Sequence, residues 1–517
     1  MPQPGRVYPE LSWSLRTLPA VVSVIFMLLS GMLADTAWGR PFASYDLRVN
    51  GAIITVVAAD LRGHRRQDLM VISRAGLFPK EVRWVSVFWQ QEGGRFNAHP
   101  DLVWEMDPEA TVIDVGALGS ESDHKSLVYL TGSEVRAYQL TGRGPPTPTT
   151  ILEIPTLTVF PEPADLPVLP LIHDWKGTGQ PWLGIPQFGQ LMLYPIAQAG
   201  PQGPGEPVKL HQPTLLFSGA REHRLIRDYA LQLIYRLPQL VVRDFNADGR
   251  ADLIAAWQDH VAVYVQDAAG RFPQEPSQTF YFNLRTEQER TLRLVQVAAL
   301  VEDLNGDGGA DLILTKTTGR ITDRRLVTSV YLNRAGSLPA QPDAVVEHDG
   351  FATTLLAKDL NDDGGRDLVL PVVRIGVRNL ISNLLTNRAE VSLLAHLYRA
   401  EGIFSGTPDW TRSFPYQIDM SDGVMLQGIW PNVEGDFDGD GKADLLVAGN
   451  DEVAVYLATP GTLFARDPVV RLPIRTSSRM MVRDLTDNRR ADIVMWYDRS
   501  AEWQGVVKAL INTGKGW

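Results

Sequence analysis

Residues 300–316 read LVEDLNGDGGADLILTK. Apolar residues lead into Asp303, a nine-residue polar loop runs from Asp303 to Asp311, and a second apolar run follows. Short apolar runs on either side of a Gly-centred loop are the pattern of two antiparallel strands joined by a turn. The unit recurs as VVRDFNADGRADLIAAW from Val241, LLAKDLNDDGGRDLVLPV from Leu355 and VEGDFDGDGKADLLVAG from Val433. Weaker copies are VVAADLRGHRRQDLMVIS from Val56, MVRDLTDNRRADIVMWY from Met481 and LIHDWKGTGQPWLGIP from Leu171. The faintest, TVIDVGALGSESDHKSLVYL from Thr111, keeps the strands but lengthens the loop. The leading aspartates are Asp60, Asp114, Asp174, Asp244, Asp303, Asp359, Asp436 and Asp484, separated by 48 to 77 residues.

Each pair of strands is followed by a third strand and a Gly-containing turn, as in HVAVYVQDAAGRF from His260 and WVSVFWQQEGGRF from Trp84. A shorter fourth strand follows, such as FYFNLR from Phe280. Four antiparallel strands repeated radially make a propeller blade. So small a unit buries both sheet faces only by stacking on its neighbours. The expected fold is therefore all-β, a closed propeller of about eight four-stranded blades over residues 40–517, with seven if the unit around Asp114 is not a blade. The last unit ends at VVKALINTGKGW, one strand short, while ASYDLR from Ala43 resembles a fourth strand. Residues 43–50 are thus predicted to complete the last blade, removing the free edges that invite aggregation.

Four loops carry oxygen-bearing residues at positions 1, 3, 5 and 9. They are Asp244, Asn246, Asp248 and Asp252; Asp303, Asn305, Asp307 and Asp311; Asp359, Asn361, Asp363 and Asp367; and Asp436, Asp438, Asp440 and Asp444. Calcium takes six to eight hard oxygen ligands, and alternating carboxylates on a tight loop supply them. Gly at position 6 permits a left-handed backbone. The same residues also suit Asx-turns, in which the side chains cap the loop's own backbone. The other loops depart from the pattern: Arg62 and His64 in the first, Lys176, Thr178 and Trp182 in the third, Thr486 and Asn488 in the last. The basic residues there, Arg62, Lys176 and Arg489, either stand in for the cation's charge or point to solvent.

The DxNxDGxxD loops between apolar strands, with an NxGxGxF-like turn after the third strand, resemble FG-GAP/VCBS repeats. Integrin α-subunit propellers, fungal fucose-lectin propellers and many bacterial exported proteins carry similar units. The resemblance spans essentially the whole chain after residue 39. It implies the propeller fold and calcium as the bound ion, and leaves function open, since propellers host unrelated activities.

The chain has 49 basic and 60 acidic residues, a net charge of −11. The thirteen loop carboxylates exceed that excess, so the acidity is mostly metal-site charge, and nothing indicates nucleic-acid binding. With no cysteine, disulfides, thiolate metal sites and a cysteine nucleophile are excluded. Arg6 and Arg16, the apolar run Leu18–Ala34, and Ala37 and Gly39 follow the order of a secretory signal cleaved after Gly39. The run is short for a membrane anchor. Residues 1–39 are therefore expected to be a signal peptide, with no span remaining and the product periplasmic, cell-surface or extracellular.

No metalloprotease His pair, nucleophile elbow, dinucleotide fingerprint or Walker loop occurs. The expected function is a non-catalytic binding or scaffold module for a protein or glycan at the cell envelope. The alternatives are a lyase-like polysaccharide enzyme or a lectin. The pairs Trp84 and Trp89, Trp410 and Trp430, and Trp496 and Trp503 are candidates for a sugar floor, although aromatics in such repeats more often pack between blades. Residues 374–390 (RIGVRNLISNLLTNRAE) interrupt the sixth unit with Val377, Leu380, Ile381, Leu384 and Leu385 at helical spacing, which predicts an amphipathic docking helix. The Pro-rich stretches Gly144–Thr149 and Gly200–Pro207 read as outer loops.

Overall fold

The computed structural model describes residues 41–517 apart from 78–79, 120–123, 141–143, 158–165, 198–199, 211–214, 224–225, 235–236, 287–288, 290–294, 320–322, 353, 375–386, 402, 420–424, 427, 499 and 501. Within them the chain forms eight antiparallel blades. Blade 1 comprises Ala52–Ala59, Asp68–Ala75, Val82–Phe88 and Leu102–Glu105; blade 2 Val112–Gly116, Ser126–Leu130, Glu134–Gln139 and Pro148–Glu153. Blade 3 comprises Ile172–His173, Trp182–Gln187, Gln190–Ala197 and Glu206–Lys209; blade 4 Gln239–Arg243, Asp252–Ala256, His260–Tyr264 and Gln278–Tyr281. Blade 5 comprises Gln296–Glu302, Asp311–Thr318, Arg325–Tyr331 and Ala344–Asp349; blade 6 Leu356–Lys358, Asp367–Val373, Arg388–His396 and Trp410–Asp419. Blade 7 comprises Gly428–Gly435, Asp444–Gly449, Glu452–Tyr456 and Val470–Leu472.

Blade 8 combines both ends of the described chain. Arg479–Arg483, Asp492–Trp496 and Val506–Asn512 are joined by Phe42–Arg48, which pairs antiparallel with Val506–Asn512 from Phe42↔Asn512 to Arg48↔Val506. The strand expected at 43–50 is thus present and closes the ring. Phe42 anchors it edge-on to Trp517 and Phe437, and Asp46 pairs with the Lys508 ammonium.

The core consists of inter-blade layers. Eight apolar clusters among the described residues each draw on two consecutive blades, so every boundary is covered, including blade 8 against blade 1 through Leu47, Val494, Val507, Val56 and Leu69. The second strand is buried on both faces, as in Asp367–Val373 and Asp492–Trp496. That accounts for its near-continuous apolar sequence.

Several sequence expectations are corrected. Most of the docking helix expected over 374–390 lies outside the described residues, but its end does not form: Arg388–Glu390 open the strand Arg388–His396, whose register with Trp410–Asp419 claims them. The Pro-rich stretches are not plain loops. Pro148 and Thr149 start the outer strand of blade 2, and Pro207 faces Met192 in blade 3. A blade's outermost strand needs no second ladder partner, so proline is tolerated there. Among the described residues a hairpin between blades 3 and 4, Leu215–His223 with Ile226–Ile234, pairs with neither and lengthens the spacing from Asp174 to Asp244.

Candidate metal centre

All seven short loops share one backbone path. Positions 4 and 6 are left-handed throughout: Ala247 and Gly249 (φ 60° and 84°), Asp362 and Gly364 (59° and 87°), Gly439 and Gly441 (83° and 91°). The departed loops follow it too, and in two of them an arginine takes position 6, with Arg65 at 62° and Arg489 at 64°. The position-1 aspartate holds that path by capping loop amides. Asp244 Oδ2 accepts from Gly249 N at 2.8 Å and Asp436 Oδ2 from Gly441 N at 2.8 Å. In the departed loops Asp60 Oδ2 accepts from Arg65 N at 2.7 Å and Asp484 Oδ2 from Arg489 N at 2.7 Å. Position 1 therefore caps its own loop in intact and departed loops alike.

Position 9 is likewise structural. Asp252, Asp311, Asp367, Asp444 and Asp492 are fully buried. In each, one carboxylate oxygen accepts the amide of position 2 and the other an amide at or just past the end of the third strand. For Asp444 these are Phe437 N at 2.7 Å and Ala458 N at 2.7 Å; for Asp311, Leu304 N and Asn333 N, both at 2.8 Å. Burial pushes Asp311 and Asp367 up to about 6 and Asp444 and Asp492 up to about 7. The two amide bonds oppose the shift, and the loop's other carboxylates add to it.

Positions 3 and 5 separate the loops. In three of them the asparagine amide donates to the position-5 carboxylate: Asn246 to Asp248 at 3.0 Å, Asn305 to Asp307 and Asn361 to Asp363, both at 2.9 Å. In blade 7 aspartate stands at both positions, so no side-chain amide links position 3 to position 5. There Asp436, Asp438 and Asp444 present carboxylate oxygens all within 4.8 Å of one another, the one such cluster among the described residues. Asp440 stands beside them, its amide donating to Asp438 Oδ1 at 3.0 Å. The donor set is all oxygen and anionic, which fits a hard cation such as calcium. The sixteen candidate ligands therefore divide: Asp436, Asp438 and Asp444 converge, while Asn246, Asn305 and Asn361 hydrogen-bond within their own loops.

In blade 1, Arg62 fulfils one of the two readings open from sequence. Its Nη2 reaches Asp68 Oδ1 at 2.8 Å, its Nε reaches Oδ2 at 3.3 Å, and the guanidinium lies over Trp89. A side-chain cation thus faces the position-9 carboxylate. In blade 3, buried Lys176 lies over Trp182 (4.8 Å) and Phe272 (4.5 Å) and meets Glu206 at 2.6 Å. With Trp182 at position 9 this loop lacks the position-9 carboxylate, and its Asp174 caps the amides of Thr178 and Gly179. Arg489 contributes only its amide; its neighbour Arg490 instead reaches Asp438 O at 2.9 Å in the adjacent blade. Asp114 sits within a strand, where it accepts the amide of Ile172 from blade 3 at 2.7 Å.

A second set of polar residues was not singled out from sequence. At the end of the third strand in four blades stands a buried amide: Gln90, Gln266 and Asn333 two residues past the strand, and Asn512 as its last residue. Its backbone N–H binds the position-9 aspartate of its own blade. Its side chain donates to a loop carbonyl of the preceding blade: Asn333 Nδ2 to Phe245 O at 2.7 Å, Asn512 Nδ2 to Phe437 O at 2.7 Å, Gln266 Nε2 to Lys176 O at 3.0 Å, Gln90 Nε2 to Leu485 O at 3.1 Å. The visible signal is Asn or Gln following each third strand (FWQQ, YVQD, YLNR, LINT). These clasps tie neighbouring loops together at four boundaries, 8–1, 3–4, 4–5 and 7–8, and stiffen the rim there.

No family model matches the chain. No curated protein matches it in sequence either. The FG-GAP/VCBS likeness therefore rests on the loop motif. Among solved structures, the chain is similar to BBS1N in a structure described as a complex with ARL6DN soaked with lead. That match has 11% identity and a TM-score of 0.35, covering 78% of this chain and 95% of that one. It is also similar to Sqt1 from Chaetomium thermophilum, with 10% identity and a TM-score of 0.43, covering 90% and 98%. At these values neither match bears on what this chain binds.

Proposed function

We propose that this chain is an exported, calcium-stabilised β-propeller serving as a non-catalytic binding or scaffold module for a protein or glycan partner. The observation that carries the reading is the blade 7 loop. Three carboxylates crowd within 4.8 Å on a left-handed loop whose backbone is already held by its own caps. Without a cation that charge repels itself, and an ion that binds only the folded state stabilises it by mass action. Asp436, Asp438 and Asp444 would hold the ion there, with Asp440 beside them. The three asparagine-containing loops offer the same donors less densely. The ion's part is structural: it neutralises the rim, while the inter-blade clasps keep the rim rigid for recognition.

The deciding measurement is calcium stoichiometry together with melting in calcium and in chelator. Bound calcium with a higher melting temperature in millimolar calcium supports the reading. An unchanged melting temperature and no bound ion overturn it. Export rests on residues 1–39, which lie outside the described residues. Fractionation of cells expressing the full chain tests it: a mature form beginning near Arg40 in the envelope or medium is expected, and retention of the unprocessed chain inside the cell argues against it.

A further inference from the structure

Much of the cationic charge on this surface already faces carboxylates, as in Arg136 with Asp107 at 2.7 Å, Arg334 with Asp343 at 2.5 Å and Arg471 with Glu452 at 2.6 Å. The seam between blades 8 and 1 is different. A cleft of about 410 Å³ opens there, lined by Arg48, Asn50, Trp84, His99 and Val103 among others. Arg48 ends the N-terminal strand that closes blade 8, and Asn50 lies just beyond it. Trp84 and Val103 belong to the third and fourth strands of blade 1, and His99 to the connection between them. Arg48 N donates to Ala98 O at 2.9 Å, tying the two walls together. Among the described residues the side chains of Arg48, Trp84 and His99 form no hydrogen bond or ion pair with the protein. Glu105, opposite Trp84 in the sheet, does not pair with Arg48.

A half-buried indole face beside an unspent guanidinium and an imidazole is a specific chemistry. The indole accepts the C–H face of a sugar ring, and the guanidinium accepts an anionic substituent in its planar fork. The volume lies near the small end of the roughly 300–1,000 Å³ typical of ligand sites. The cleft lies between the outermost strand of blade 8 and the third and fourth strands of blade 1, and its exposed residues Arg48, Asn50, His99 and Val103 leave it open to solvent. We infer that this seam binds one residue of an anionic polysaccharide, its ring on Trp84 and its carboxylate or sulfate on Arg48. The inference rests on the glycan form of the reading above but not on calcium, because the flanking loops of blades 1 and 8 lack carboxylates at positions 3 and 5.

The test titrates the full chain, in chelator, with hexagalacturonate, a sulfated carrageenan hexasaccharide and neutral cellohexaose, followed by calorimetry and tryptophan fluorescence. At least one anionic saccharide is expected to bind tenfold or more tightly than the neutral one. Which anion is preferred identifies a carboxylated or a sulfated source. Arg48→Gln should abolish the preference without changing the melting temperature, Trp84→Ala should abolish binding, and Trp84→Phe should retain it within a few-fold. No binding of any saccharide, equal binding of the neutral one, or unchanged binding by Arg48→Gln overturns the inference. A lost calcium response with saccharide binding intact would sink the metal reading alone.

Discussion

His348 and His396 meet across the boundary between blades 5 and 6, Nε2 to Nε2 at 2.9 Å. The second hydrogen bond fixes the tautomers. His396 Nδ1 lies 2.9 Å from Ser405 O, which can only accept, so that nitrogen carries the proton. His396 Nε2 is then the acceptor and His348 Nε2–H the donor. Burial holds His348 down to about 4, with His396 and Arg374 adding to the shift and Asp349 opposing it. Burial also lowers His396, against the Ser405 carbonyl and Asp409.

Because both folded-state values are depressed, the pair's contribution is complete above the ordinary value near 6.5 and is lost as pH falls toward 4. The His348 part is on the order of 3 kcal/mol. His348→Gln keeps a donor and removes the titration. Melting curves from pH 7.5 to 4.5 should fall more steeply for the wild type than for this variant, and parallel curves would show that the contact is not pH-sensitive.

Blade 7 should be the most metal-dependent loop. Asp438→Asn is expected to lower calcium stoichiometry by one ion and to remove about 2.7 kcal/mol of stabilisation at a hundredfold excess of calcium over Kd. Asp484→Asn removes only a structural cap and should leave stoichiometry unchanged. Equal ion loss in both variants would place metal in the blade 8 loop too.

Arg62 should behave as a built-in cation. Burial, opposed by Arg62 and by the Gln90 amide, raises the carboxyl of Asp68. Arg62→Met removes the opposing charge and strands a buried carboxylate, which is expected to cost about 3 kcal/mol at neutral pH. A raised folded-state value means stability is recovered as pH falls, so the deficit should shrink between pH 8 and pH 5. Asp68→Asn in the same chain should restore much of it. A deficit independent of pH would make Arg62 a packing residue only.

Asn333 should matter well beyond its size. Its side chain donates to Phe245 O and accepts from Gly336 N at 2.9 Å and Ser337 N at 3.1 Å. Asn333→Ala leaves those groups unpaired, at roughly 1–3 kcal/mol for each one that stays buried. Chemical denaturation measures the loss. A variant within 0.5 kcal/mol of wild type would mean that the clasp between blades 4 and 5 contributes little.

Removing residues 41–48 should be far worse than an ordinary terminal truncation. Termini are dispensable unless tied into a sheet, and this segment is the fourth strand of blade 8 and one wall of the seam cleft. The truncated chain is expected to melt lower and to associate through the exposed edge of Val506–Asn512, as read by light scattering. A monomer melting with the full-length protein would rule out this strand as the closure.

Much of this protein was legible along the chain. Strand, loop and turn signals act over a few residues, so each blade announces itself locally, and eight leading aspartates correspond to eight blades. The missing last strand was legible as a deficit at one end and a surplus at the other. Tertiary structure decided what depends on neighbours in space. The motif marks positions 1 and 9 as ligands or caps, and only the tertiary structure shows which backbone amides they cap, some of them at or beyond the end of the third strand. The blade 7 loop differs from the three asparagine-containing loops by one residue in sequence, Asp438 at position 3, and only side-chain directions show that its oxygens come together with those of Asp436 and Asp444. The closure joins Gln67 N to Leu485 O at 2.8 Å across more than four hundred residues, and the cleft of Arg48 and Trp84 exists only because that closure sets two remote strands side by side. Local sequence determines which strands form, because hydrogen-bonded turns are short-range. What lies between blades is decided by packing, because those contacts join residues that no local pattern relates.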